Sequence, residues 1–409
     1  MRLKFLWILM ISLIGNTPNY ATSDKFRLIW NENPATTALF AWNQASGANP
    51  VVYYVAVEEG KVPQRYEFKA TPTKNNLFRG MNNQFCQLNN LKPNTLYYLI
   101  LKDSEGFSRK MRFRTASNLP DARLSIIAGG DSRNNRAARR DANLLAGKLK
   151  PHCILFNGDM TDGDTDLEWQ TWLDDWQLTI GTDGLLIPIV PARGNHEKDN
   201  TTLMNLFNLP ATNYYALSLG GNLLRIYTLN TLVAAGGDQR TWFDTDLAAN
   251  QNQIWKFVQY HQPMRPHTQG KDPKDEQYKQ WTDLFLKYKV KLAIESDAHV
   301  AKTTFPIRPS TAAGNVEGFV RDDVNGTTYI GEGCWGAPLR PFNNVRTWTH
   351  SGGSFNHFKW IWVGKDNTEI RTVKTDNATE VETVSQPFQI PAKLDIFKPT
   401  AGEVVTLKK

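Results

Sequence analysis

Cysteine is scarce in this 409-residue chain, which has three: Cys86, Cys153 and Cys334. An odd, widely spaced set excludes a disulfide framework, leaves room for one pair after export, and offers no CxxC spacing for a structural zinc. Cys153 sits in an apolar run, where a buried, inert thiol is expected. Long apolar runs are lacking as well. Leu6 to Ile14 is too short to span a bilayer comfortably, and no other stretch does better. Behind Arg2 and Lys4, and ahead of Ala21, it reads as an export signal over residues 1–21. Asn19 stands where a small residue is expected before the cut, and a buried N-terminal helix or strand is the competing reading. The expected location is periplasmic or secreted, with no membrane contact once the signal is removed. Blocks of five or six consecutive basic residues are also missing. The formal charge of +7 therefore suits a surface that attracts anionic small molecules, with no specific nucleic-acid partner. No internal repeat or low-complexity tract is found, so solenoids are not supported.

What is present is ordinary globular material: 41% apolar and 11% aromatic residues, which for this length implies about two domains. From Phe26 to Thr115, runs such as Val51-Val52-Tyr53-Tyr54-Val55-Ala56-Val57 and Leu96-Tyr97-Tyr98-Leu99-Ile100-Leu101 alternate with turn residues. Short β-branched and aromatic runs without a helical period predict a β-sandwich over residues 22–118. Ser117-Asn118-Leu119-Pro120-Asp121 breaks that pattern. Beyond it come Leu124 to Ala128, a helix near Ala137 to Leu149, Cys153 to Phe156 and a helix near Leu167 to Leu178. Strands alternating with amphipathic helices predict an α/β domain over residues 119–376. Residues 377–409, rich in Thr, Val, Pro and Lys, read as an extra strand or a tail.

In an open α/β sheet, ligands bind beyond the carboxyl ends of the strands. Here five apolar runs end in polar segments of one type: Gly129-Gly130-Asp131-Ser132-Arg133, Asn157-Gly158-Asp159-Met160-Thr161-Asp162, Arg193-Gly194-Asn195-His196-Glu197, His261, and Glu295-Ser296-Asp297-Ala298-His299. A lone strand-end aspartate is usually a cap or turn residue. Five in succession, holding three of the seven histidines, point instead to a metal site. Carboxylate, amide oxygen and imidazole suit Mn, Fe or Zn, and a carboxylate can bridge two ions.

The ordered set GDSR, GDMTD, GNHE, VQYH, SDAH resembles the calcineurin-like metallophosphoesterases, most closely the purple acid phosphatase branch, which shows GDxG, GDxxY, GNHE, VxxH and GHxH. Leu91-Lys92-Pro93-Asn94-Thr95-Leu96-Tyr97-Tyr98 and Phe113-Arg114-Thr115 resemble the fibronectin type III-like module that precedes that catalytic domain. The likeness runs over about residues 26–375. It implies a four-layer α/β/β/α domain behind an all-β sandwich. The implied activity is hydrolysis of small-molecule phosphate esters, phosphomonoesters foremost, by in-line attack of a metal-bound hydroxide. A phosphodiesterase or nucleotide hydrolase on the same site is one alternative, and a surface-binding protein with a degenerate site is another.

Carried over by position, the resemblance makes Asp131, Asp159 and His299 ligands of a first metal and Asp159, Asn195 and His261 ligands of a second, with Asp159 as the bridge. His196 takes the leaving-group side as general acid or transition-state stabiliser, or else only orients its neighbours. Three positions depart from the pattern. Asp162 replaces the tyrosine, Asp297 the first histidine of GHxH, and Arg133 the closing glycine of GDxG. Without the tyrosinate the protein should be colourless. Asp162 and Asp297 remain able to ligate the first and second metal respectively. Four aspartates would balance two divalent ions, so divalent Mn, Fe or Zn and a pH optimum nearer neutral are expected; a ferric-divalent pair is the alternative. Arg133 either grips a phosphoryl oxygen in substrate binding and catalysis or pairs with a carboxylate. His267 is either a substrate contact or a loop histidine, and Arg265 shares that ambiguity. Trp172, Trp176 and Trp335 line the cleft or pack in the core, and Arg136, Arg139 and Arg140 read as a solvated helix face.

Overall fold

The computed structural model describes residues 22–57 and 63–409; the expected export signal lies outside them. The N-terminal part is two antiparallel sheets. Ser23–Ile29, Ala38–Gln44, Lys74–Phe78 and Met81–Leu88 form one face, and Val51–Val55, Phe68–Ala70, Leu96–Lys102 and Met111–Arg114 the other. Between them lie Phe26, Leu28, Phe40, Trp42, Val52, Leu99 and Phe113, all buried. Each strand sends alternate side chains inward, as the period-two pattern requires.

The remainder is an α/β domain of four layers. Its first sheet has parallel strands Leu124–Gly129, Cys153–Phe156 and Pro188–Pro191, flanked by antiparallel His357–Val363, Asn367–Lys374 and Val404–Lys408. The second has Leu224–Thr228, Trp255–Gln259, Leu292–Glu295 and Thr328–Gly331 in parallel, with antiparallel Tyr215–Leu219, Ala301–Thr304 and Thr349–Gly353. Alternation along the second sheet sets the layers. Ile226, Phe257 and Ile294 join the core shared with the first sheet. Their neighbours Tyr227, Val258 and Ala293 face outward onto Phe243, Trp281 and Phe285 of helices Gly237–Ala249 and Asp275–Lys287. Helices Arg136–Leu149 and Asp166–Trp176 cover the first sheet through Ala142, Leu145, Trp172 and Trp176.

The two parts are not separated by a cut in the sheet. Strand Ser23–Ile29 pairs in parallel with Pro188–Pro191, with Leu28 opposite Pro188 and Ile29 opposite Ile189. A ten-stranded sheet therefore runs from the catalytic core into the sandwich. The last residues do not hang free: Val404–Lys408 closes the opposite edge, and Ala378, Val381 and Val384 enter the core.

The three cysteines are unpaired and buried. Burial pushes the Cys86 thiol up to about 12, leaving it inert near neutral pH.

Candidate metal centre

All five polar segments leave the carboxyl ends of strands, three from the first sheet and two from the second, and meet where the sheets face each other. The local backbone is strained to do so. Asp131, Arg133, Asp159, Asp297 and His299 all have left-handed φ, between 43° and 66°. Such conformations cost of the order of 1–3 kcal/mol each and gather at functional sites. Close approach explains two glycines: a Cβ on Gly194 would collide with Asp159, and one on Gly333 with the Asp131 carboxylate.

Two sets of donors result. Asp131, Asp159 and His299 form one, and Asp159, His261 and Asp297 the other. Within each set the ligand-type atoms lie within 4.8 Å of one another, all on buried residues. Hydrogen bonds fix both imidazoles. His261 Nδ1–H donates to the Asn157 carbonyl at 2.8 Å, which turns its Nε2 lone pair toward Asp159 Oδ1 at 3.2 Å, Asn195 Oδ1 at 3.1 Å and Asp297 Oδ1 at 3.6 Å. His299 Nδ1–H donates to the Pro338 carbonyl at 2.8 Å, leaving Nε2 facing Asp131 Oδ1 at 3.2 Å. Neither of those last two atoms has a hydrogen-bond partner, although both are buried. Buried polar atoms are normally satisfied. Acceptor atoms converging without a donor are what a cation would complete, so the residues present fit a metal.

The electrostatics agree. Burial alone would raise the Asp159 pKa, yet His261 and His196 hold it well below the usual carboxylate range. Against a similar burial penalty, His261 and Lys271 hold Asp297 low. Burial opposes a charged His261, but Asp159 and Asp131 lift it well above its ordinary value. The pocket thus carries concentrated negative charge in a dry setting.

Glu197, quoted in the motif but given no role there, braces the loops. Its carboxylate accepts from the N–H groups of Asp159, Met160 and Gly194 at 3.0, 2.8 and 2.7 Å. Burial, then Asp159, push its carboxyl up to about 7. A second brace lies behind Arg133. The buried Asp175 carboxylate is gripped by Arg136, Arg139 and Arg140 at 2.8, 2.6 and 2.9 Å, and Arg139 also donates to the Arg133 carbonyl. Arg136 and Arg140 are exposed, as expected of a solvated face, but Arg139 is fully buried, and one acid on helix Asp166–Trp176 collects all three.

Among the expected site residues, Asp131, Asp159, Asn195, His261, Asp297 and His299 come together. Asp162 does not join either donor set. Its side chain is 52% exposed and pairs with Arg133 at 3.2 Å. Arg133 also reaches Asp159 Oδ2 at 3.2 Å. His196 stands on the open side, Nε2 3.8 Å from Asp159 Oδ2, with its Nδ1 on the Asp162 carbonyl. His267 is corrected outright as a substrate contact. It is fully buried, between Phe342 and Trp348, with Nε2 on Thr349 Oγ1 at 2.8 Å. Arg265 serves structure too, bound to Asp275 and the Glu317 carbonyl. The three tryptophans are core residues: Trp172 and Trp176 stack at 5.0 Å against Phe156, and Trp335 packs on Phe156 and Phe358. Sequence reasoning passed over Lys271, whose Nζ lies 2.6 Å from Asp297 Oδ1. No motif marks it, and its loop gives only turn residues.

Residues 129–301 match the calcineurin-like phosphoesterase family, and residues 23–115 match the purple acid phosphatase N-terminal domain. The chain is thereby a metal-dependent phosphoesterase. Its particular arrangement is purple acid phosphatase-like: a calcineurin-like phosphoesterase domain carried behind that N-terminal domain. Among solved structures it is similar to the purple acid phosphatase PPD1 from yellow lupin (Lupinus luteus) seeds, with a TM-score of 0.74 and 16% identity, over 95% of this chain and 74% of that one. It is also similar to PhoD, with a TM-score of 0.67 and 11% identity, over 93% and 90%. At these identities the likeness is one of fold. No curated protein sequence matches the chain. Among the described residues no helix is long and apolar enough to cross a membrane.

Proposed function

We propose that the chain is a two-metal hydrolase that removes terminal phosphoryl groups from small phosphate esters. The observation that carries this is the pair of buried donor sets sharing Asp159, with Asp131 Oδ1 and His299 Nε2 unpartnered inside them. Asp131, Asp159 and His299 would hold one ion and Asp159, Asn195, His261 and Asp297 the other. Two such ions, when bound, supply Lewis acidity and a nucleophile available near neutral pH.

The chain's own groups divide the remaining work. The Arg133 guanidinium, held beside Asp159 by Asp162, presents a fork to a phosphoryl oxygen. His196 keeps Nδ1 on the Asp162 carbonyl, so its Nε2 is free to hold a proton for the departing oxygen. With Asp162 outside the donor sets, three ligating aspartates remain. Two divalent ions then leave a small positive excess, lower than a ferric-divalent pair would, which supports divalent Mn, Fe or Zn and an optimum nearer neutral than acid. Export to the periplasm or medium rests on the basic and then apolar start of the chain.

The test combines metal analysis with initial rates on p-nitrophenyl phosphate, its bis-ester and ATP. About two metals per chain, with the monoester or ATP hydrolysed faster than the diester, are expected. Fewer than about two metals after saturation, with no hydrolysis, would overturn the proposal.

A further inference from the structure

The sandwich reaches the ligand-bearing loops through one side chain. Its strands Lys74–Phe78 and Met81–Leu88 are joined by two residues, Arg79 and Gly80, with Phe78 opposite Met81. Both have left-handed φ, 54° and 66°, the turn in which the first position ordinarily holds Asn, Asp or Gly. An arginine there breaks the local rule, as residues with a task elsewhere in the molecule do. Its guanidinium lies over the Phe78 ring at 4.8 Å and pairs with Asp164 in the α/β domain. Asp164 is 1% exposed, and Arg79 is its one ion-pair partner among the described residues. The Asp164 carboxylate also accepts from Trp169 Nε1–H at 2.6 Å, Thr202 Oγ1–H at 3.1 Å and the Lys198 N–H at 3.4 Å. It therefore joins two loops. Asp164 stands two residues after Asp162, whose carbonyl holds His196 Nδ1, and Lys198 two residues after His196 itself. Glu197 joins the same loops at their ligand end; Asp164 joins them again further along each segment. A buried carboxylate is costly without a cation beside it, and here the cation comes from the other domain.

We infer that Arg79 is a positioning residue of the phosphoester reaction: through Asp164 it holds the two loops in the relation that keeps His196 Nε2 aimed at the departing oxygen. This rests on the role proposed for His196 and extends it to the N-terminal domain. When the P–O bond to the leaving group breaks, the electron pair stays on the leaving oxygen, which takes the proton from His196 Nε2. Without the Arg79–Asp164 pair, Glu197 still fixes the ligand end of both loops, but the Asp162 carbonyl and the His196 ring lose their common anchor. The proton is then delivered from a poorer position, and small displacements of this kind are expensive in rate. An ester of an aliphatic alcohol, which departs badly without a proton, depends on the anchor; an ester of a strongly acidic phenol does not.

The experiment uses the full chain loaded with Mn, as the parent, Arg79→Met, Arg79→Lys, and Arg79→Met combined with Asp164→Asn. The last removes the buried carboxylate together with its partner, so it decides the same question should Arg79→Met not fold. Metal per chain and hydrogen exchange of segments 160–166 and 195–202 are measured first, then kcat and KM for glycerol phosphate and dinitrophenyl phosphate. Expected for Arg79→Met and for the double variant is about a tenfold or larger fall in kcat on glycerol phosphate against less than about threefold on the dinitrophenyl ester, with KM shifted by less than about threefold. Metal content should equal the parent's in all variants. Arg79→Lys should recover most of the alkyl-ester rate, since one guanidinium nitrogen alone pairs with Asp164. Equal losses on both esters, no loss, a lowered metal content, or an Arg79→Lys variant no better than Arg79→Met would each overturn the positioning role. If the parent hydrolyses neither ester, the hydrolase reading fails; faster exchange of both segments in Arg79→Met then upholds the tie between the loops, and unchanged exchange overturns it.

Discussion

Replacing Glu197 by glutamine changes one buried oxygen to an NH2 group and adds no bulk. The native carboxylate takes two backbone N–H groups on Oε2, those of Asp159 and Gly194, and one on Oε1, that of Met160. Whichever way the amide turns, its NH2 faces at least one donor. A buried donor left without an acceptor costs roughly 1–3 kcal/mol. The chain can relieve that cost only by shifting the loops after Phe156 and Pro191, which carry Asp159 and Asn195. Displacing such supports of metal ligands typically costs about 10–100-fold in affinity. The expected outcome is therefore a rise of that order in the dissociation constant for Mn or Zn, read by competition with a chromogenic chelator at pH 8. In the metal-stripped protein the Tm should fall by about 1–3 °C, since 1 kcal/mol corresponds to about 1 °C in a chain this long. A Glu197→Gln variant with unchanged metal affinity and unchanged Tm would refute the claim that this carboxylate keeps the two loops in register.

Asp297→Asn should lose metal from the second donor set, whereas Asp162→Asn should keep the parental metal content and alter KM by no more than about threefold, because its carboxylate lies outside both sets; metal analysis and steady-state kinetics check both. Asp175→Asn leaves three arginines around a buried amide and should destabilise by about 3–5 kcal/mol, measurable by denaturant unfolding. In the metal-free protein the stabilising contributions of Glu197 and His261 should fall as pH rises from about 5 to 8, against the opposite trend of the buried His152 and His357, whose pKa values burial lowers to about 4 and about 3. Burial and Asp159 raise the Glu197 pKa to about 7; for His261, burial opposes but Asp159 and Asp131 raise its pKa well above the ordinary value. Both groups thus stabilise fully below their unfolded pKa values and lose that contribution as pH passes the folded ones. The check is the Tm difference between the parent and Glu197→Gln in excess chelator, and a difference that does not shrink over this range would contradict the assignment of Glu197.

The strand ends were readable because each is a short apolar run stopped by glycine and a polar donor. Cys153–Phe156 emerges with unchanged limits, and Leu124–Gly129 differs by one residue from its expected span. Helix Gly237–Ala249 was not readable. It opens on glycine, and Gln239, Phe243 and Leu247 alone are buried, too thin an apolar stripe to stand out. Asp162 illustrates a different limit. Sequence spacing puts it three residues from Asp159, but that residue has a left-handed φ and the chain turns Asp162 outward to Arg133. His267 was ambiguous for a related reason: nothing in its spacing from His261 distinguishes a ring facing a cleft from one stacked on Phe342. Lys271 depends on a contact across 26 positions, which no local pattern encodes.

The parallel pairing of Ser23–Ile29 with Pro188–Pro191 bears on how the molecule can be cut or worn down. A fragment beginning near residue 119 would uncover the edge of Pro188–Pro191, where the Ile189 carbonyl loses the Trp30 N–H it accepts, three residues short of Gly194 and four short of Asn195. Raw sheet edges recruit other chains, so such a fragment should self-associate through the strand that leads into its own chemistry. A protease that nicks and releases the N-terminal part would inactivate the enzyme without touching a ligand residue. The sandwich thus serves as an edge guard, and losing it is a route to permanent shutdown.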